Sequence, residues 1–90
     1  MAQITIEAQR DGEYRARIGS DEASTTVTLT LGDASEVSDG RLSDDKATAR
    51  ATVAYLLGHQ DAEDLPATVD LGDVVAAYPD AVERIAGLCG

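Results

Sequence analysis

Ninety residues suffice for one domain and not for two, and the chain is read as a single domain over 1–90. Seventeen acidic residues against seven basic ones give a formal charge of −10. Such a charge repels nucleic-acid phosphates and anionic lipid, so neither is expected as a partner. One cysteine, Cys89, excludes an internal disulfide and implies a reducing compartment. No apolar run approaches the roughly 20 residues that span a bilayer, and the N-terminus lacks a basic region and an apolar signal core. A cytoplasmic location is the expectation.

Residues 3–8 alternate, with Ile4, Ile6 and Ala8 on one face and Gln3, Thr5 and Glu7 on the other. That period marks a half-buried strand. Asp11-Gly12 is a hairpin turn signal, because both residues tolerate positive φ. Glu13–Ile18 alternates again, Tyr14, Ala16 and Ile18 inward, Arg15 and Arg17 outward. After a polar turn around Gly19-Ser20-Asp21-Glu22, Thr25–Leu31 sets Val27, Leu29 and Leu31 against Thr26, Thr28 and Thr30. Three strands in meander order follow. Residues 32–42 have no period and read as a loop, with a short fourth strand near Val37 as the alternative.

Ser43 is positioned to cap a helix, with Asp44 and Asp45 in the first turn at the positive end of the helix dipole. Ala49, Val53, Leu56 and Leu57 form a stripe at i, i+4, i+7 and i+8 that suits packing on the sheet, and Gly58 is a natural stop. His59–Thr68 is polar, contains Pro66 and connects. Asp70 can cap a further helix. Its stripe runs through Leu71, Val74, Val75, Tyr78, Val82, Ile85 and Cys89 but contains Pro79, which removes a hydrogen bond and clashes with the preceding turn. The spacing predicts a helix at about 71–78, a kink or break, and another at about 79–88. The expected fold is α+β: a three-stranded antiparallel β-meander followed by two or three α-helices packed on one face. Its core contains no Phe or Trp, and Ala and Val fill most of the apolar positions beside three Tyr.

No catalytic, cofactor-binding or metal-ligating residue is assigned. His59 is the lone histidine, so a site built on a His pair is excluded. Its spacing to Cys89 gives no sign of a thiol–imidazole dyad, and Cys89 fits the end of the apolar stripe or a cross-link between two copies. The acidic stretch Asp61-Ala62-Glu63-Asp64 and the loop residues Asp33, Glu36 and Asp39 lack the alternation of an EF-hand and read as solvated loops. The scattered glycines form no phosphate-binding loop. Arg10, Arg15 and Arg17 gather on the first hairpin, where Glu7 and Glu13 can pair with them.

The segment from Val53-Ala-Tyr-Leu-Leu-Gly through Val69-Asp-Leu-Gly-Asp-Val-Val-Ala-Ala-Tyr-Pro-Asp-Ala-Val-Glu-Arg-Ile covers about half the chain. It resembles the C-terminal half of small bacterial and archaeal proteins with a Phe-Leu-Leu helix followed by an Asp-Leu-x-x-Ile-x-x-Tyr-Phe-Pro-like segment. Here Tyr78 precedes the proline and the phenylalanines are absent. That resemblance brings no function with it. Over residues 3–57, Asp11-Gly12-Glu13-Tyr14 and the strands and amphipathic helix around it are similar to the HicB-type antitoxin domain, though its Pro-Gly-Cys-like turn is missing. The expected role is that of a small interaction or regulatory protein acting by binding a protein partner, with a homodimer as one form. The alternative is an acidic antitoxin or nucleic-acid mimic that occupies a basic partner; an enzyme is not expected.

Overall fold

The computed structural model describes residues 3–19, 24–61 and 64–89. The turn expected over Ser20–Glu22, Glu63 of the acidic stretch and the Cys89 side chain lie outside that description. The fold is α+β. Strands β1 (Gln3–Arg10), β2 (Glu13–Gly19) and β3 (Ser24–Thr30) form the antiparallel meander that the period-2 alternation predicts. At the first turn Gly12 adopts φ +78°, and its carbonyl accepts a hydrogen bond from Leu31 N–H at 2.6 Å. That bond ties the hairpin to the exit of β3. A register shift between Ala8 and Arg10 marks a bulge near the end of β1.

A fourth strand, β4 (Thr68–Asp70), corrects the three-stranded expectation. It lies parallel to β3, with Leu29 beside Val69 and Thr30 beside Asp70, so the sheet is mixed, in the order β1-β2-β3-β4. Three residues with one inward side chain, Val69, leave too short a pattern to stand out of a polar connector. A parallel pair needs a long crossover, and the segment between β3 and β4 supplies it. Among the described residues, that segment holds the helices α1 (Ala34–Val37) and α2 (Lys46–Leu57).

Within the loop expected over 32–42, the flanking residues remain turns and bends, while Ala34–Val37 form the helix α1 where the alternative was a strand near Val37. Its single turn is held from below: Ala34 is buried, and buried Ser38 donates its hydroxyl to the Ala34 carbonyl and accepts Leu42 N–H at 2.9 Å. Asp39 and Gly40 then take positive φ, at 55° and 81°, and return the chain so that Leu42 enters the core. Helix α2 starts two residues later than Ser43 would start it. Asp45 is the cap, accepting Thr48 N–H at 2.8 Å, and the Asp44 carbonyl is held outside the helix by the Tyr14 hydroxyl at 2.9 Å.

After β4 the chain forms α3 (Leu71–Ala77), capped by the Asp70 carboxylate on Gly72 N–H at 2.8 Å. Pro79 separates it from α4 (Ala81–Cys89), so the 71–88 stripe forms two helices. Helix α2 lies across β1 and β2, α4 packs chiefly on α2, and α1 meets α3. The helices cover one face of the sheet. The opposite face presents exposed Thr5, Glu7, Arg15, Arg17, Thr26 and Thr30 to solvent.

Ile6, Ala16, Ile18, Val27, Leu29, Val53, Leu56, Val74 and Ile85 are buried as their periods require. Ile4, Leu57, Val75 and Val82 are only partly buried, and Ala8 is exposed. Ile4 and Ala8 belong to the edge strand, and Leu57 closes the last turn of α2, so each lacks a neighbour on one side. Ala81, fully buried where α4 begins, completes the core. No helix among the described residues is long and apolar enough to cross a membrane.

Candidate functional site

The site is built where α2 ends and α4 begins. Tyr55 and His59 are four apart, which puts both side chains on one side of the helix end. Their ring centroids are 4.7 Å apart at 61°. Tyr78, held by the bend before Pro79, stacks on His59 at 4.8 Å and 27° and meets Tyr55 edge-on at 5.7 Å. Two of the three tyrosines and the lone histidine thus form one aromatic cluster.

Below the cluster, Tyr55 donates its hydroxyl to Asp80 Oδ1 at 2.6 Å, and Arg84 Nε lies 3.5 Å from Asp80 Oδ2. The hydrogen bond from Tyr55, with the backbone, Arg84 and His59 assisting, holds the Asp80 carboxyl below the usual carboxylate range. Burial, reinforced by Asp80, pushes the Tyr55 phenol up to about 12. Burial and the neighbouring Asp44 do the same for Tyr14, also to about 12.

These shifts fix the sign of an alkaline effect. An unfolded phenol ionises at 10.0, whereas both native phenols stay neutral to about 12. Their contribution to stability is fully present below pH 10 and is lost as pH rises towards 12. Asp80 works in the other direction: its contribution is present above the unfolded carboxyl value of 3.8 and fades as pH falls below it. Urea midpoints should therefore fall from pH 9 to 11 (roughly the span over which an unfolded phenol deprotonates), and Tyr55→Phe should flatten that fall. An unchanged slope in the variant would contradict the assignment.

An open groove of about 760 Å³ runs from this cluster along α2 and α4, where the small residues Ala54, Gly58 and Gly87 leave it room. Leu88 lies along it at 56 % exposure, a large apolar side chain left in solvent. Asp80, Glu83 and Arg84 supply its polar side. Tyr78 also lines a smaller cleft of about 170 Å³ on the other side, between α3 and the end of α2. Small residues, an exposed leucine and carboxylates along one groove can accept an apolar side chain flanked by basic ones.

His59 is exposed, as its loop position predicts, but its stacking on Tyr78 and edge contact with Tyr55 are not visible from that position alone. The Tyr55–His59 spacing was the available signal. Among the described residues no group of three potential metal ligands comes together, the flanks of the acidic stretch and Asp33, Glu36 and Asp39 included. On the hairpin, Arg10 pairs with Glu13 at 3.7 Å, Arg15 stands opposite Glu7, and Arg17 stands between Thr5 and Thr26. Comparison with protein-family models, with curated proteins and with solved structures finds no match.

Proposed function

We propose that the chain acts by binding a protein partner, and that the groove between α2 and α4 takes a segment of that partner carrying an apolar side chain between basic ones. The observation that carries this reading is the 56 % exposure of Leu88 beside the small residues Ala54, Gly58 and Gly87. A contiguous apolar surface marks a docking site where a lone leucine does not, and the groove adds Ala54, His59 and two glycines to Leu88. The acidic balance supports a cationic partner, since a net −10 steers positive chains towards it. The role is non-catalytic, and neither nucleic acid nor a membrane surface is its target.

Selection of displayed random peptides against the immobilised protein tests this reading. Enriched sequences should join Lys or Arg to Leu, Met or an aromatic residue, and Leu88→Asp should weaken them at least tenfold, as truncation of a central contact does. Acidic winners, or winners indifferent to Leu88→Asp, would exclude the groove.

A second reading, the acidic antitoxin or nucleic-acid mimic, draws support from the distribution of charge. Glu7, Asp11 and Glu13 are matched by Arg10, Arg15 and Arg17, so residues 3–19 are neutral and the whole of the −10 lies elsewhere. A mimic's affinity for a basic partner would fall steeply with salt and would not depend on Leu88.

A further inference from the structure

We propose that two copies of the chain associate through β1, edge to edge and antiparallel, joining their sheets across a two-fold axis at Ile6. This rests on the sheet and is independent of the groove. β1 is an end strand of the sheet, eight residues long, and it contains neither proline nor lysine, two common guards against edge pairing. The bulge between Ala8 and Arg10 ends its regular part, leaving the stretch from Gln3 to Ala8 in unbroken register.

That stretch is self-complementary. Centred on Ile6, the pairing sets Ile6 opposite Ile6 of the second copy, Ile4 opposite Ala8 and Thr5 opposite Glu7. No like charges meet, and each pair shares a face, as antiparallel partners must. Partly buried Ile4 and exposed Ala8 lie on the helix-covered face at the edge, where a second sheet would cover them. A register centred on Glu7 would oppose two carboxylates and is disfavoured.

Electrostatics permits the same surface. The −10 charge makes two copies repel over most of their surface, but the β1–β2 hairpin is neutral, with three acids and three arginines. A second copy that meets it there faces no excess of acid. The seam is short compared with standard interfaces, so the dimer is concentration-dependent, in the micromolar-to-millimolar range. Screening the remaining charge should strengthen it, because the Debye length falls from about 10 Å at 0.1 M salt to about 3 Å at 1 M.

Sedimentation equilibrium of the full chain and two variants at Thr5 tests the proposal. Thr5 is exposed and faces Arg17 within its own hairpin and Glu7 of the second copy across the axis. Thr5→Glu should weaken dimerisation about tenfold, since two like-charged pairs arise by symmetry, while raising the monomer's urea midpoint through Arg17. Thr5→Arg should do the reverse, strengthening the dimer and slightly lowering the midpoint. Opposed effects on association and on folding cannot come from a damaged fold. The proposal is overturned by a chain that stays monomeric to millimolar concentration in 1 M NaCl. It is equally overturned by a dimer that answers both substitutions in the same sense, as one centred on Thr5 would, or answers neither.

Discussion

Leu56→Ala should destabilise the fold by about 2–5 kcal/mol, a large share of the roughly 5–15 kcal/mol that a small domain commands. Leu56 is 3 % exposed on α2, the helix that lies against β1 and β2 on one side and carries α4 on the other. A cavity there removes packing from the core cluster and enlarges the cleft that Leu56 lines with Val69 and Val74. No phenylalanine or tryptophan is present to collapse into the space, and Val53 and Ala49 beside it are short. The urea midpoint should drop with the slope of the transition unchanged. An unchanged midpoint would mean that this face of α2 does not bear on the core.

Gly12→Ala should also cost more than about 2 kcal/mol, for a different reason. At φ +78° an L-residue is strained by roughly 1–2 kcal/mol. In addition, the new Cβ would lie 3.0 Å from Gly32 Cα and 3.1 Å from Gly32 N, both backbone atoms that cannot rotate away. Relieving that contact means moving the hydrogen bond from Leu31 N–H to the Gly12 carbonyl. Gly40 is the control: its φ is +81°, but nothing lies within 4 Å of a Cβ built there. Gly40→Ala should therefore cost only the backbone strain. Equal losses in the two variants would show that the approach of Gly12 to Gly32 is not close.

The contrast between those glycines shows what a single sequence reveals. Asp11-Gly12 announces a turn, but the nearness of Gly32, twenty residues on, is set by the packing of β3 against the hairpin. The three meander strands were legible because a period of two persists over six or more residues in each. Asp70 and Pro79 declared the start of α3 and its end, since a cap and a missing N–H are local chemistry. β4 and α1 were not legible: each is one short turn or three residues, stabilised by partners distant in the chain. Ser43 mimicked a cap because Ser and Asp cap equally well, whereas Asp45 accepts Thr48 N–H and the Tyr14 hydroxyl holds the Asp44 carbonyl.

The candidate site divides along the same line. Tyr55 and His59 are helical neighbours by spacing alone. Tyr78 and Asp80 reach them only because the break at Pro79 turns α4 back along α2, a tertiary event with no local signature. Leu88 continued no predicted stripe, and its exposure follows from which side of α4 the contact with α2 leaves open.

Partner docking in the α2–α4 groove is tested most directly by amide chemical-shift mapping. The ¹⁵N-labelled chain would be titrated with a peptide holding leucine between lysines, with Leu88→Asp run in parallel. Saturable shifts should concentrate in residues 54–60 and 80–88, and should vanish in the variant. Shifts spread over the open face of the sheet, at Arg15, Arg17 and the threonines of β3, or shifts that persist in Leu88→Asp, would contradict it.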